Sequence, residues 1–341
     1  MSIGFQARSP AGAARTQTAP PMPSTLSARH LPWGVLGPWL ALAVACAFFA
    51  SQSERFLTGE NLSLVLQQVM VVGVLAIGQT LIILTAGIDL SCGVVMALGA
   101  MVVAKLAVEA GLPVPVAMLA GIGVTCLFGL VNGLLVTRAR LPAFIVTLGT
   151  MNIAFALTQM YSKSQTVSNL PDSLTAIGNT FALGGTQVSW GTLLMLALYL
   201  VAWRLLADTA PGRHIYAVGN HAEAARLTGI RVERVVLGVY VLAGFFYGIA
   251  ALLSIARTGV GDPQAGQTEN LDTITAVVLG GTSLFGGRGI LLGSLVGAVI
   301  VGVFRNGLTL MGVASVVQTL ITGVLVILAV AADRFSHRGG R

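Results

Sequence analysis

The stretch LSLVLQQVMVVGVLAIGQTLIILT (62–85), AGIDLSC (86–92), GVVMALGAMVVAKLAV (93–108) decides the fold. Its outer parts are apolar on every face, so neither a helical stripe nor a strand alternation can be drawn through them. A segment of this kind is buried all round or surrounded by lipid. The first part has the roughly 20 apolar residues that a spanning helix needs, and the second falls slightly short. Between them stands Asp89, a carboxylate at membrane depth. Placing one there costs about 2.5–3.5 kcal/mol on insertion scales, so it faces protein or water.

The rest of the chain reads in the same way. Of the 341 residues, 55% are hydrophobic and 9% charged, and the mean hydropathy is +0.87. A soluble domain cannot cover that much apolar surface with so few charges. Open strand edges are untenable in lipid, so the runs predict helices, and the 42 glycines fit close helix packing. The expected fold is all-α and polytopic, with about ten spans near 33–50, 62–85, 93–108, 113–136, 141–161, 190–207, 235–256, 270–285, 290–310 and 314–332. The third and eighth are short and glycine-interrupted, as broken helices are inside a protein-lined cavity. Residues 33–332 form the membrane domain. Residues 1–32, rich in Pro, Ala, Ser and Thr, read as a disordered cytoplasmic tail, and 333–341 as a second tail.

A net charge of +7 does not point to nucleic acid, because the basic residues are scattered through short connections. Arg138, Arg140, Arg213, Arg226, Arg231, Arg234 and Arg288 fall with both termini, while Arg55, Lys163 and Arg257 fall on the opposite side. By the positive-inside rule both termini are cytoplasmic. Cys46, Cys92 and Cys126 lack metal-ligand spacing and read as small buried hydrophobes, and no cofactor is expected.

Two polar segments do more than turn the chain. Residues 162–189, with Gly184-Gly185, lie outside and could meet an extracytoplasmic partner. Residues 208–234 lie in the cytoplasm. There Asn220 is expected to cap a short amphipathic helix through Ala222, Glu223, Ala224, Ala225, Arg226 and Leu227, which Gly229 ends. A weak internal echo links Gly87-x-x-Leu90-x-x-Gly93 with Gly281-x-x-Leu284-x-x-Gly287.

The chemistry is constrained by what is missing. A phosphate-binding loop needs a lysine after glycine, and neither Lys105 nor Lys163 qualifies. Any ATP hydrolysis therefore belongs to another polypeptide. An intramembrane serine protease needs a base at depth, whereas His30, His214, His221 and His337 fall in tails or the cytoplasmic segment. Gly259-Val260-Gly261-Asp262 matches a Gly-x-Gly-Asp motif, but an aspartyl pair needs a second acid nearby. An enzyme is not the expected reading.

Asp89 or Ser91 could cap the following helix; alternatively Asp89 lines a pathway and accepts hydrogen bonds from solute hydroxyls. Asn132, Thr147, Asn152, Thr282, Ser283 and Asn306 are further pathway or broken-helix candidates. Such neutral amides and hydroxyls suit polyhydroxylated solutes or helix-to-helix bonding better than ion coupling. Lys105 and Arg305, near span ends, are expected to snorkel.

Four stretches carry a resemblance: AGIDLSCGVVMALGAMV (86–102), LVNGLLVTRARLPAFIVTLGTMNI (130–153), GRHIYAVGNHAEAARLTGI (212–230) and LDTITAVVLGGTSLFGGRGILLGSLVGAVIVGVFRNGL (271–308). With the regions between, covering about 62–332, they resemble the ribose, xylose, arabinose and galactofuranose-type permeases of binding-protein-dependent ABC importers. Cys92 departs from the small aliphatic residue expected there. The resemblance implies a type II-like importer permease in a bacterial inner membrane, paired with a like or related permease. Two ATP-binding subunits would sit below and a periplasmic solute-binding protein above. It also implies that Gly212, Gly219, Asn220, Glu223, Ala224, Ala225 and Gly229 belong to the segment that docks on the ATPase. The competing reading is a secondary carrier or facilitator that works alone on a small polar solute.

Overall fold

A computed structural model describes residues 33–338; the tail expected over 1–32 lies outside them. The chain runs α1 (Trp33–Gln52), α2 (Gly59–Leu84), α3 (Cys92–Val108), α4 (Val114–Thr137), α5 (Ala143–Ser162) and a short α6 (Asp172–Thr175). A two-stranded antiparallel hairpin follows, β1 (Thr180–Leu183) and β2 (Thr186–Ser189). Then come α7 (Trp190–Asp208), α8 (Ala210–Asn220), α9 (Ala222–Leu227), α10 (Val232–Thr258), α11 (Glu269–Leu279), α12 (Leu291–Leu310) and α13 (Ser315–Arg338).

Each expected span coincides with a helix, with informative differences. Among the described residues six helices (α2, α4, α5, α7, α10 and α12) are long and apolar enough to cross a membrane. The eighth span, expected over 270–285, is only the eleven-residue α11, and the chain from 280 to 290 is a loop with both buried and exposed residues. The helix expected to stop near 332 continues to Arg338, so the expected C-terminal tail is helical over 333–338; residues 339–341 lie outside the described region. The hairpin and α8 are additional elements.

Local chemistry explains several boundaries. Thr58 accepts the Asn61 amide (3.3 Å) at the start of α2, and Ser189 accepts the Thr192 amide (3.1 Å) at the start of α7, each closing an orphan donor. Gly184 and Gly185, both at positive φ, make the two-residue hairpin turn, since that turn needs positive φ at both central positions.

α2 lies at the centre: 83% of its apolar window is buried within this one chain. α10 packs along α2, α3 and α4, and α12 packs on α2 and α11. In lipid such packing rests on close backbone approach, not on expulsion of water. The α4–α10 crossing is built that way. A Cβ at Gly129 would strike the Tyr240 carbonyl, and one at Gly244 would strike that of Thr125. Overpacking at such a site costs about 1–3 kcal/mol. Gly129→Val is therefore expected to lower the melting temperature of the detergent-purified protein by several degrees. Gly123→Val on the same helix, where nothing lies within 4 Å, should leave it nearly unchanged.

Candidate coupling and transport sites

The break between α2 and α3 is solved by one carboxylate. Asp89 is 1% exposed. Its Oδ1 accepts from the Ser91 amide (2.7 Å) and hydroxyl (2.6 Å), and its Oδ2 accepts from the Tyr247 hydroxyl (3.2 Å). Asn132 Nδ2 donates to Ser91 Oγ (3.2 Å), and Thr147 Oγ1 donates to the Ile88 carbonyl (3.1 Å). Four of the named candidates, Asp89, Ser91, Asn132 and Thr147, thus meet in one buried knot that α2, α4, α5 and α10 all reach.

The capping of α3 differs from expectation. Ser91 makes no side-chain cap. Asp89 secures the Ser91 amide, and the Gly93 amide in the first turn goes to Asn270 Oδ1 of α11 at 2.5 Å. Asn270 and Tyr247 were not among the sequence candidates. Neither has a local signal, because each acts on residues more than 150 positions away.

The remaining candidates fall elsewhere. Asn306 exchanges two amide hydrogen bonds with Asn61 (2.8 and 2.9 Å), tying α12 to α2. Thr282 lies 3.5 Å from Ser294 Oγ, to which Thr80 donates at 2.8 Å. The Ser283 amide donates to the Arg288 carbonyl (2.9 Å), so Thr282 and Ser283 shape the α11–α12 loop. Asn152 stands apart, exposed and bonded to the Leu148 carbonyl of its own helix (2.9 Å). Arg305, itself exposed, pairs through Nη1 with Asp272 Oδ2 at 2.8 Å, and that carboxylate is 6% exposed.

The segment 208–234 holds two helices where one was expected. Thr209 caps α8 through the Gly212 amide (3.2 Å). Asn220 is the last residue of α8, and α9 is capped by His221, whose Nδ1 accepts the Ala224 amide (3.2 Å). Gly229, at φ +88°, follows the Thr228 cap. In α9, Ala225 is buried against Val218 and Val232, while Ala224 is exposed and Leu227 is 90% exposed. Glu223 and Glu233 both pair with Arg226 at 2.6 Å. The hydrogen bond to Glu233, and then the charges of Glu223 and Glu233, hold the Arg226 proton more tightly than in a free arginine.

The last turn of α8 is wedged where the two broken-helix loops meet. A Cβ at Gly219 would strike the Leu84 carbonyl and the Gly287 amide. The Gly287 amide donates to the Leu84 carbonyl (3.0 Å), and Tyr216 donates to the Gly289 carbonyl (3.0 Å). The loop after α2 and the loop after α11, which carry the echoed Gly-x-x-Leu-x-x-Gly stretches, are therefore in mutual contact and share α8 as a neighbour.

Buried breaks, close glycine packing and an amphipathic helix pair at one end define a polytopic transport permease. Residues 61–330 match the family described as branched-chain amino acid transport system / permease component, and the chain belongs to that family. Its relatives include sugar permeases. The fructose import permease protein of Rhizobium meliloti is 42% identical over 297 residues, covering 86% of this chain and 82% of the relative. The ribose import permease protein of Bacillus subtilis is 37% identical over 301 residues, 88% and 92% of the two chains. The D-allose transport system permease protein of Escherichia coli is 35% identical over 303 residues, 89% and 92%.

Removing Asp89 leaves three buried donors without their acceptor, at about 1–3 kcal/mol each. Asp89→Ala is expected to lower thermal stability in detergent strongly. Asp89→Asn, which retains an acceptor oxygen, should recover part of the loss in the same melting assay.

Proposed function

We propose that this chain is the membrane permease subunit of an ATP-binding-cassette importer, and that it passes a monosaccharide or related polyol through the bacterial inner membrane. A separate ATPase subunit docks on α8 and α9. A periplasmic solute-binding protein delivers solute at the opposite end, where the hairpin lies, and a second permease, identical or related, completes the pathway. Both termini are cytoplasmic.

The observation that carries the reading is the place of α8. Its end touches Leu84, the last residue of α2, and Gly287 of the loop after α11 together, so a displacement of α8 reaches the start of one break and the middle of the other. Loops of this kind move as bistable packed units, not as springs. ATPase closure pushes the α8–α9 pair, the two loops shift with it, and the attached helices turn between outward and inward access. Gly212 and Gly219 allow the tight seats of α8, Asn220 abuts Gly287, Ala225 anchors α9, and Gly229 frees the chain to enter α10. Glu223, Ala224 and exposed Leu227 face the partner.

The charge asymmetry supports the orientation, and the sugar permeases among the relatives support the solute class. The lone-carrier reading is less favoured, because the membrane-depth acids are engaged by internal partners: Asp89 by Ser91 and Tyr247, Asp272 by Arg305.

Glu223→Lys sets two cations side by side on α9 and reverses the charge offered to the ATPase. In vesicles holding the ATPase and solute-binding protein, this variant is expected to lose at least tenfold of the solute-stimulated ATP hydrolysis that supports uptake. It should still insert normally. Uptake at the unmodified level would contradict the docking assignment.

A further inference from the structure

At the end of the bundle remote from α8–α9, a cavity of about 190 Å³ opens between α2, α10, α11 and α12. Its polar lining is Gln68, Arg257, Glu269, Asp272 and Arg305: two guanidinium groups, two carboxyl groups and an amide. A second cavity of about 580 Å³, between α11, α12 and α13, shares Gln68, Asp272 and Arg305 with it. The Arg305–Asp272 pair is thus a common wall.

Resting on the importer reading, we propose that the smaller cavity is a subsite within the permease for a neutral polyhydroxylated solute. Part of its hydrogen-bonding capacity, that of Gln68 and Arg257, is unspent. Gln68 Oε1 is buried with no hydrogen-bond partner among the described residues. Arg257 forms no ion pair or side-chain hydrogen bond there, although a guanidinium has five N–H donors. A purely structural role would have closed these groups on one another, as Arg305 closes on Asp272 and on Thr268 (3.2 Å).

The mixture selects the ligand. Each sugar hydroxyl both donates and accepts, so one vicinal pair can satisfy a carboxylate and a guanidinium together. An aliphatic side chain in the same place would strip water from four ionisable groups and return no hydrogen bond. The balance of two cationic and two acidic side chains gives an ion of either sign no net attraction. Val69, Val72 and Val301 on the same wall offer an apolar face to the C–H side of a ring. With so few fixed contacts the solute is held weakly, as a conducting site requires.

The test counts solute moved per ATP hydrolysed. The whole complex is reconstituted in vesicles with its solute-binding protein, and labelled ribose and labelled fructose serve as probes. Gln68→Leu removes a partnerless oxygen and is expected to lower the ratio about threefold, the worth of one neutral hydrogen bond. Arg257→Gln removes a charged donor and is expected to lower it about tenfold or more. A ratio unchanged in both variants, with unmodified complex transporting normally, overturns the subsite alone. An unmodified complex whose solute-binding protein binds either probe but which does not take that probe up with ATP overturns the subsite together with the importer reading.

Discussion

A chain that breaks its helix inside a bilayer exposes backbone amides and carbonyls where no water can bond them. At residues 85–93 that constraint is met by groups from four other elements. The Asp89 carboxylate takes the Ser91 amide and hydroxyl on one oxygen and the Tyr247 hydroxyl on the other. Asn270 takes the Gly93 amide in the first turn of α3, and Thr147 covers a carbonyl of the loop. In a low-dielectric interior such bonds strengthen one another, and a missing member is costly. The break is thereby a fixed joint between α2 and α3, held from α5, α10 and α11.

The second joint, between α11 and α12, leans on the first through the Gly287 amide and Leu84 carbonyl. Because α8 ends against Leu84 and Gly287, the exposed α9 that follows it is one packed turn from both joints. Asn270 strengthens the link: it lies on α11 yet caps α3, so the elements flanking the two joints are also bonded to each other. A rigid connection of this sort transmits a push with little loss, which is what the proposed coupling through the six-residue α9 requires.

Much of the fold is legible in the amino-acid pattern because lipid imposes a length on each apolar run. The 62–85 and 93–108 runs, the brevity of the eighth span and the depth of Asp89 all follow from that rule. α8 is less legible: APGRHIYAVGN carries Pro211, Gly212 and Gly219, which read as loop. It is helical because proline falls in the first turn, where its missing N–H costs nothing, and Thr209 supplies the cap. The one-residue shift of the α9 cap from Asn220 to His221 reflects two helices abutting, a tertiary fact. The hairpin strands, four residues each, are too short for alternation to show. Partners such as Tyr247, Asn270 and Asn61 were invisible for a different reason: each is a lone polar residue whose role depends on which distant helix lies opposite. The Arg305–Asp272 pair, 33 residues apart, is of the same kind.

The central claim is that α9 and the α11–α12 loop move as one body. Spin labels at Leu227 and Phe285, both exposed, with a third at Leu183 in the hairpin, give the distances by pulsed electron resonance in the complete ATP-cycling complex. The Leu227–Phe285 distance should stay constant between the nucleotide-free and ATP-bound states, while the Leu227–Leu183 distance changes. A Leu227–Phe285 distance that shifts with nucleotide would show the lever sliding over the loop, and would contradict the account.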